Sequence, residues 1–188
     1  MDRLAAAGVQ GIDTYVPWAV HEIEAGRFDF GDRDPALDLA GFVELVASRG
    51  MWVTIRPGPQ INAELGNFGL PDRIVRDPDV QAMGPSGGPV LCPSPPVVFP
   101  CPSYASGKYI GETGAWFAAV APALAGALPG PSARSSPVRS IQIDNEASLF
   151  FRDAPFDQDY RPEAVARWRD GLERGGLPPW SPPRERDT

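Results

Sequence analysis

The stretch that decides the fold is residues 9–22, Val9-Gln10-Gly11-Ile12-Asp13-Thr14-Tyr15-Val16-Pro17-Trp18-Ala19-Val20-His21-Glu22. Its first part, Val9 to Trp18, is rich in β-branched and aromatic side chains, which is typical of a buried strand. A doubly wound nucleotide-binding sheet needs a glycine-rich phosphate turn directly after such a strand. Here Pro17 to Glu22 occupy that position without a glycine, so the stretch disfavours a nucleotide-binding domain.

Helical and strand patterns alternate along the rest of the chain. Strands that are separated by helices form a parallel sheet through right-handed crossovers, which predicts an α/β fold. The open doubly wound sheet and the closed eight-stranded barrel compete, and the missing phosphate turn favours the barrel. The predicted elements are a helix end at 2–7, strands at 9–18, 51–55 and 138–143, and helices from Asp34 to Gly50, around 73–82, at 106–128 and at 162–174.

A proline-rich segment interrupts this alternation. We predict a long irregular loop over residues 84–103, with seven prolines between Pro85 and Pro102. Cys92 and Cys101 lie within it, and they could form a disulfide that clips the loop or remain two reduced thiols. We expect one domain over residues 1–174 and a flexible tail over residues 175–188.

Charge and hydropathy exclude several classes of function. The net charge is −7 and no basic cluster is present, which disfavours nucleic acid and anionic membranes as partners. No window approaches the about 20 apolar residues of a membrane span, and the N-terminus is too short for the hydrophobic region of a signal peptide. The chain therefore reads as soluble. With one histidine, His21, and two cysteines, it lacks zinc-ligand spacing, and we expect no metal or cofactor.

Polar and aromatic side chains follow each predicted strand, where functional residues lie in a barrel. Amides and carboxylates bind sugar hydroxyls, and aromatic rings stack on the apolar face of a sugar. The pattern therefore predicts a neutral polyhydroxylated ligand. The residues concerned are Tyr15, Trp18, His21 and Glu22 after the first strand, Arg56 and Gln60 to Glu64 after the second, and Asp144, Asn145 and Glu146 after the third.

At these positions the sequence resembles the glycoside hydrolase family 35 β-galactosidases. The resemblance runs in order and at the family's spacing from about Leu4 to Glu146. It departs from the family at Gln60, usually tyrosine, and at Asn62, usually cysteine. The matching motifs are Thr14-Tyr15-Val16-Pro17-Trp18 with His21-Glu22, Phe28-Asp29-Phe30, Arg56-Pro57-Gly58-Pro59 with Ile61 and Ala63-Glu64, Gly69-Leu70-Pro71, and Gln142-Ile143-Asp144-Asn145-Glu146.

The resemblance implies a retaining β-galactosidase built on a (β/α)8 TIM barrel, acting on a β-galactoside or related oligosaccharide. It implies that Glu146 is the catalytic acid/base and that Asn145 binds the sugar 2-hydroxyl. It further implies that the galactose ring is held by Tyr15, Ile61, Asn62, Ala63 and Glu64.

The same mechanism requires a second carboxylate as nucleophile. The resemblance places the nucleophile beyond residue 188 and the first barrel strand before residue 1. We therefore expect a fragment with strands two to four of the barrel, nearly inactive on its own. The alternatives are a non-catalytic carbohydrate-binding remnant and a self-contained α/β domain of unrelated function.

Some residues of the motifs have simpler interpretations. Trp18 fits a core position as well as a sugar-facing one, and Trp52 and Trp116 are expected to pack in the core or between helices. His21, with Glu22 after it, is expected to order its loop rather than to bind a metal, because the chain holds no second histidine.

Overall fold

The computed structural model describes residues 1–61, 65–94, 97–128, 136–145 and 158–176. Over these residues the protein has a mixed α/β fold with a parallel sheet. Its strands are β1 (Gly11–Tyr15), β2 (Glu22–Glu24), β3 (Arg27–Phe28), β4 (Trp52–Gly58), β5 (Leu91–Ser94), β6 (Val97–Pro100) and β7 (Val138–Ile143). Its helices are α1 (Asp2–Ala6), α2 (Trp18–His21), α3 (Leu39–Ala47), α4 (Asp72–Val75), α5 (Gly107–Leu124) and α6 (Pro162–Arg174), with 3-10 turns at Pro35–Leu37 and Gly66–Gly69.

Three strands form the main sheet in the order β1-β4-β7, all parallel. Tyr15 is paired with Arg56 where β1 meets the end of β4. On the same face, the Thr54 and Ser140 hydroxyls share a hydrogen bond of 2.8 Å between β4 and β7. The prediction of parallel strands joined through helices is confirmed. The sheet built by the described residues is open, and they close no barrel.

The opposite face of the sheet carries the hydrophobic core. Val53 and Ile55 of β4 are fully buried and belong to one cluster with Val43 of α3 and Val120 of α5. Burial of such side chains contributes about 1.5–3 kcal/mol each. Helices α3 and α5 thus hold β4 in place from behind, while its other face remains available for polar side chains.

Aromatic rings fill the space behind the strand ends. Trp18 and Trp116 are both fully buried and stack with ring centroids 6.1 Å apart. The Trp116 indole donates a hydrogen bond of 2.8 Å to the carbonyl of Pro57 at the end of β4. The sequence allowed either a core or a sugar-facing position for Trp18, and the structure places it in the core. The buried His21 ring contacts the Asp29 carbonyl at 2.8 Å, which orders the loop as expected.

The predicted irregular loop over residues 84–103 is wrong in part, because β5 and β6 form an antiparallel hairpin there. Proline is tolerated on a two-stranded hairpin, since each strand has an unpaired edge on which no N–H is needed. Pro93 pairs with Val98 accordingly. A disulfide joins Cys92 to Cys101 with a Cα–Cα distance of 5.4 Å, which resolves the two alternatives for these cysteines.

Three predicted helices are shorter than expected, and one of them, expected at 106–128, is α5 (Gly107–Leu124). The helix expected around residues 73–82 is only the four-residue α4, since Pro78 disfavours helical geometry in the residue before it. The helix expected from Asp34 is split into a 3-10 turn and α3. Asp38 caps α3 by accepting from the Gly41 N–H at 2.8 Å, and this second cap marks the break.

We predict that the disulfide adds about 2.5 kcal/mol to the free energy of unfolding. This is the size expected from the lost entropy of the unfolded chain when the closed loop has a sequence separation of 9. A variant with both Cys92→Ser and Cys101→Ser should lose that amount in urea unfolding. Reductant should lower the stability of the wild type by a similar amount and leave the double variant unchanged. If the wild type and the double variant unfolded with the same free energy, and if reductant changed neither value, the disulfide would not stabilise the fold.

Candidate functional site

The carboxyl ends of the three parallel strands form a polar edge, as the sequence predicts. Tyr15 ends β1, and Asp144 and Asn145 follow β7. The Asp144 N–H donates to the Gly58 carbonyl at 2.7 Å, which ties the residues after β7 to the end of β4. Asp144 has a φ of 60°, a left-handed conformation that turns the chain as it leaves the strand. This turn places Asn145 beside β4.

Arg56 joins the two outer strand ends. Its Nη1 donates to the Tyr15 hydroxyl at 3.1 Å, and its Nη2 donates to Oδ1 of Asn145. The guanidinium carbon also lies 4.6 Å from the centroid of the Tyr15 ring. Gln142 adds a second donor to Asn145 Oδ1 at 2.8 Å. The structure thus brings Tyr15 and Asn145, two of the predicted sugar-binding residues, into one hydrogen-bonded cluster.

The loop after β4 begins with a buried residue. Ile61 is fully buried, and its N–H donates to the Phe68 carbonyl at 2.9 Å. A side chain at Gly69 would come within 2.8 Å of Ile61, so glycine permits this close contact. The Ile61 side chain is therefore a packing group, not a surface for a ligand. Asn62, Ala63, Glu64 and Glu146, also predicted for the site, lie outside the described residues.

Tyr104 is a residue of this edge that sequence reasoning missed. Its hydroxyl donates to Oδ2 of Asp144, and its ring meets that of Tyr109 edge-on at 5.7 Å. Burial, the nearby Tyr109 and the Asp144 carboxylate together raise the pKa of Tyr104 well above its usual range, so it remains a donor. No motif marked it, because it comes 40 residues before its partner in the sequence.

Glu22, which the sequence marked as a strand-end carboxylate, is an ion-pairing residue in the structure. Arg73 binds both of its carboxylate oxygens, at 2.9 and 2.5 Å, and also contacts Glu112 at 2.8 Å. Burial alone would raise the pKa of Glu22. Hydrogen bonds from Arg73 and Gly26, with the charge of Arg73, outweigh burial and lower this pKa. Glu22 is therefore held as a structural carboxylate.

Neither a metal site nor a membrane-spanning helix is found in the part of the chain that the structure describes. Its residues form no group of three or more His, Cys, Asp or Glu side chains that could hold a metal ion. None of its helices is long and apolar enough to cross a membrane.

Sequence comparison relates the chain to carbohydrate-active enzymes. The sequence profile of glycosyl hydrolases family 35 matches residues 1–83. An exo-beta-D-glucosaminidase of Thermococcus kodakarensis is 37% identical over 182 residues, covering 92% of this chain and 22% of the relative. An exo-beta-D-glucosaminidase of Pyrococcus horikoshii is 33% identical over 171 residues, covering 88% of this chain and 21% of the relative.

A third relative is the mouse (Mus musculus) beta-galactosidase-1-like protein 3, which is 31% identical over 151 residues, covering 80% of this chain and 19% of the relative. The chain thus spans about a fifth of the length of the curated relatives it matches. The comparisons confirm that the sequence resembles glycosyl hydrolases family 35 over residues 1–83, and the three relatives match it over 80% to 92% of the chain.

Proposed function

We propose that residues 1–174 contribute strands two to four of a (β/α)8 barrel in a retaining β-glycosidase that cleaves terminal β-galactosides, with residues 175–188 as a tail. The observation that carries the proposal is the cluster of Tyr15, Arg56 and Asn145 on three adjacent parallel strand ends, where barrel enzymes place their active sites. The exposed side chains of Ile141 and Ile143 on β7, 41% and 62%, are consistent with a sheet that further elements cover.

In this proposal Glu146 is the acid/base, and Asn145 binds the sugar 2-hydroxyl. Tyr15 and the loop residues Asn62, Ala63 and Glu64 hold the ring, and Ile61, also expected there from the sequence, is a fully buried residue that positions the start of this loop. Support comes from the position of Asn145, which the hydrogen bonds from Arg56 and Gln142 hold at the strand edge. Glu146 follows directly in the sequence.

The proposed reaction needs two carboxylates about 5–5.5 Å apart. Glu146 donates a proton to the leaving oxygen while the nucleophile attacks the anomeric carbon and forms a glycosyl ester. Glu146 then removes a proton from the water that hydrolyses this ester. We propose that the nucleophile comes from a part of the enzyme outside these 188 residues, since the relatives are several times longer. The chain alone should therefore bind sugar with little or no turnover.

Cleavage of terminal β-D-glucosaminides is a second candidate. The two archaeal relatives that match about nine-tenths of this chain both carry that activity in their names. The mouse relative, whose name supports the galactoside candidate, matches 80% of this chain. The two substrates differ at the 2-position of the sugar, where Asn145 is proposed to lie, and in the configuration of the 4-hydroxyl, so the activity on each substrate can be compared directly.

A chimera separates these candidates. In it, this chain replaces the matched segment of the Thermococcus kodakarensis enzyme, which supplies the rest of the protein. We expect the chimera to hydrolyse an aryl β-D-galactoside at least tenfold better, relative to the aryl β-D-glucosaminide, than the unaltered enzyme does. The measurement is kcat/KM on both substrates for both proteins.

An unchanged or increased preference for the glucosaminide would instead favour the second candidate. A folded chimera that binds both sugars and hydrolyses neither would support a non-catalytic carbohydrate-binding role. The matched control replaces the native segment by itself through the same cloning junctions, so that any loss caused by the junctions is measured separately.

A further inference from the structure

Arg56 stands between the two described residues that are proposed to contact the sugar. We propose that Arg56 is a positioning residue that makes both Tyr15 and Asn145 hydrogen-bond donors toward the ligand, and so selects a neutral 2-hydroxy sugar over a 2-ammonium sugar. The inference rests on the proposed function, because it takes Asn145 to face the 2-position. It adds the chemical reason why one substrate class should be preferred.

The orientation of the Asn145 amide follows from its two neighbours. Arg56 Nη2 and Gln142 Nε2 can only donate, and both lie against the same amide oxygen, Oδ1. Asn145 is 6% exposed, so little water could compensate a rotated amide that turned its NH2 group toward two donors. The acceptor end of the amide is therefore used within the protein. Nδ2, a donor, has no hydrogen-bond partner among the residues that the structure describes and is the end left for a ligand.

Tyr15 is polarised in the same direction. Its hydroxyl oxygen accepts from Arg56 Nη1 at 3.1 Å, so the phenolic proton points away from the guanidinium. The guanidinium also lies over the face of the Tyr15 ring, which fixes the position of both side chains. Tyr15 is 39% exposed at the strand end. It therefore presents an O–H donor on the open side of the cluster.

The neighbouring carboxylate does not offset this donor character. Oδ1 of Asp144 accepts from the Asn145 N–H at 3.0 Å, and Oδ2 accepts from the Tyr104 hydroxyl. Both oxygens are thus engaged inside the protein. Among the described residues, the edge therefore offers a ligand two donors, the Tyr15 O–H and Asn145 Nδ2.

This arrangement favours ligand atoms with lone pairs. A sugar hydroxyl can accept from Asn145 Nδ2 or from the Tyr15 O–H. A protonated amine has no lone pair to offer to either donor. A 2-hydroxy sugar should therefore bind more tightly than its 2-ammonium analogue, and the difference should depend on Arg56.

The test measures binding of three methyl β-D-galactosides to the full 188-residue chain by calorimetry or NMR titration. The ligands carry a hydroxyl, a hydrogen or an amine at the 2-position, and pH 6 keeps the amine protonated. We expect wild-type affinity to fall in that order. Arg56→Met should weaken binding of the 2-hydroxy sugar about ten- to hundredfold and reduce the preference over the amine to about threefold or less. The affinity and the 2-hydroxyl preference of Arg56→Lys should lie between those of the wild type and those of Arg56→Met.

The matched control is Arg139→Met, which removes an exposed arginine of β7 whose guanidinium lies over Trp52 and which takes no part in the cluster. It should bind all three sugars like the wild type. If Arg56→Met does not fold, Gln142→Leu removes only the second donor to Asn145 and should lower the preference for the 2-hydroxyl about threefold.

Three results would overturn the inference. Sugar binding with unchanged selectivity in the folded Arg56→Met variant, or in Gln142→Leu in its place, refutes the role of Arg56 and leaves the proposed function standing. Wild-type preference for the amino sugar refutes the selection argument and favours the glucosaminide candidate. Absence of binding of any of the three sugars to the wild type removes the proposed function and this inference with it.

Discussion

A Glu146→Gln substitution in the chimera is expected to lower turnover of an alkyl β-galactoside by a factor of about 10²–10⁴, the usual contribution of a positioned general acid. An alkyl alcohol is a poor leaving group and must receive a proton as the glycosidic bond breaks. Glutamine has nearly the same size but no acidic proton. The measurement is kcat/KM, because it reports the bond-breaking step from free enzyme and substrate.

Comparison of leaving groups separates this role from mere structural damage. A dinitrophenyl β-galactoside needs little protonation, so its kcat/KM should fall far less in the same variant. Azide, an anion that needs no general base, should then accelerate release of the glycosyl-enzyme ester as a glycosyl azide. Glu24→Gln is the control, because Glu24 is an exposed carboxylate paired with Arg27. Equal losses with both leaving groups and no effect of azide would argue against an acid/base role for Glu146.

Local patterns were sufficient to predict the parallel sheet. β7 and α6 were predicted at their observed bounds, 138–143 and 162–174, because the period of their hydrophobic residues and the proline at the start of α6 are local signals. The placement of Tyr15 and Asn145 at a common edge also followed, since parallel strands end on the same side of a sheet.

The contacts within the site could not be predicted in the same way. Arg56 meets Asn145 across 89 positions of sequence, and Tyr104 meets Asp144 across 40. Such pairs depend on strand register and on the path of a loop, neither of which leaves a periodic signal. The β5–β6 hairpin was missed for a related reason: its prolines indicate a loop by local rules, and only the pairing of two short edge strands accommodates them.

Arg73 illustrates how the loop behind the site is held together. It joins Glu22 at the start of β2 to Glu112 of α5, and its guanidinium lies 5.9 Å from the centroid of the Trp18 ring. The Glu22 side chain is only 3% exposed, whereas that of Arg73 is 31% exposed. Removal of the arginine therefore leaves a buried carboxylate without its charged partner, although the hydrogen bond from the Gly26 N–H at 2.9 Å remains.

Arg73→Ala is expected to lower the free energy of unfolding by about 3 kcal/mol at pH 7, since breaking a buried ion pair strands the remaining charge. The folded-state pKa of Glu22 is lowered, so its stabilising contribution is present above its unfolded pKa and is lost as pH falls through the folded pKa. The difference between variant and wild type should accordingly shrink below about pH 4. Arg76→Ala, at the residue that directly follows the same helix and in an exposed pair with Asp72, should cost less than about 1 kcal/mol when unfolding in urea is measured for both variants. Equal costs for the two variants, or a cost of Arg73→Ala that does not shrink when the pH is lowered from 7 to well below 4, would show that the Glu22 ion pair does not stabilise this part of the fold.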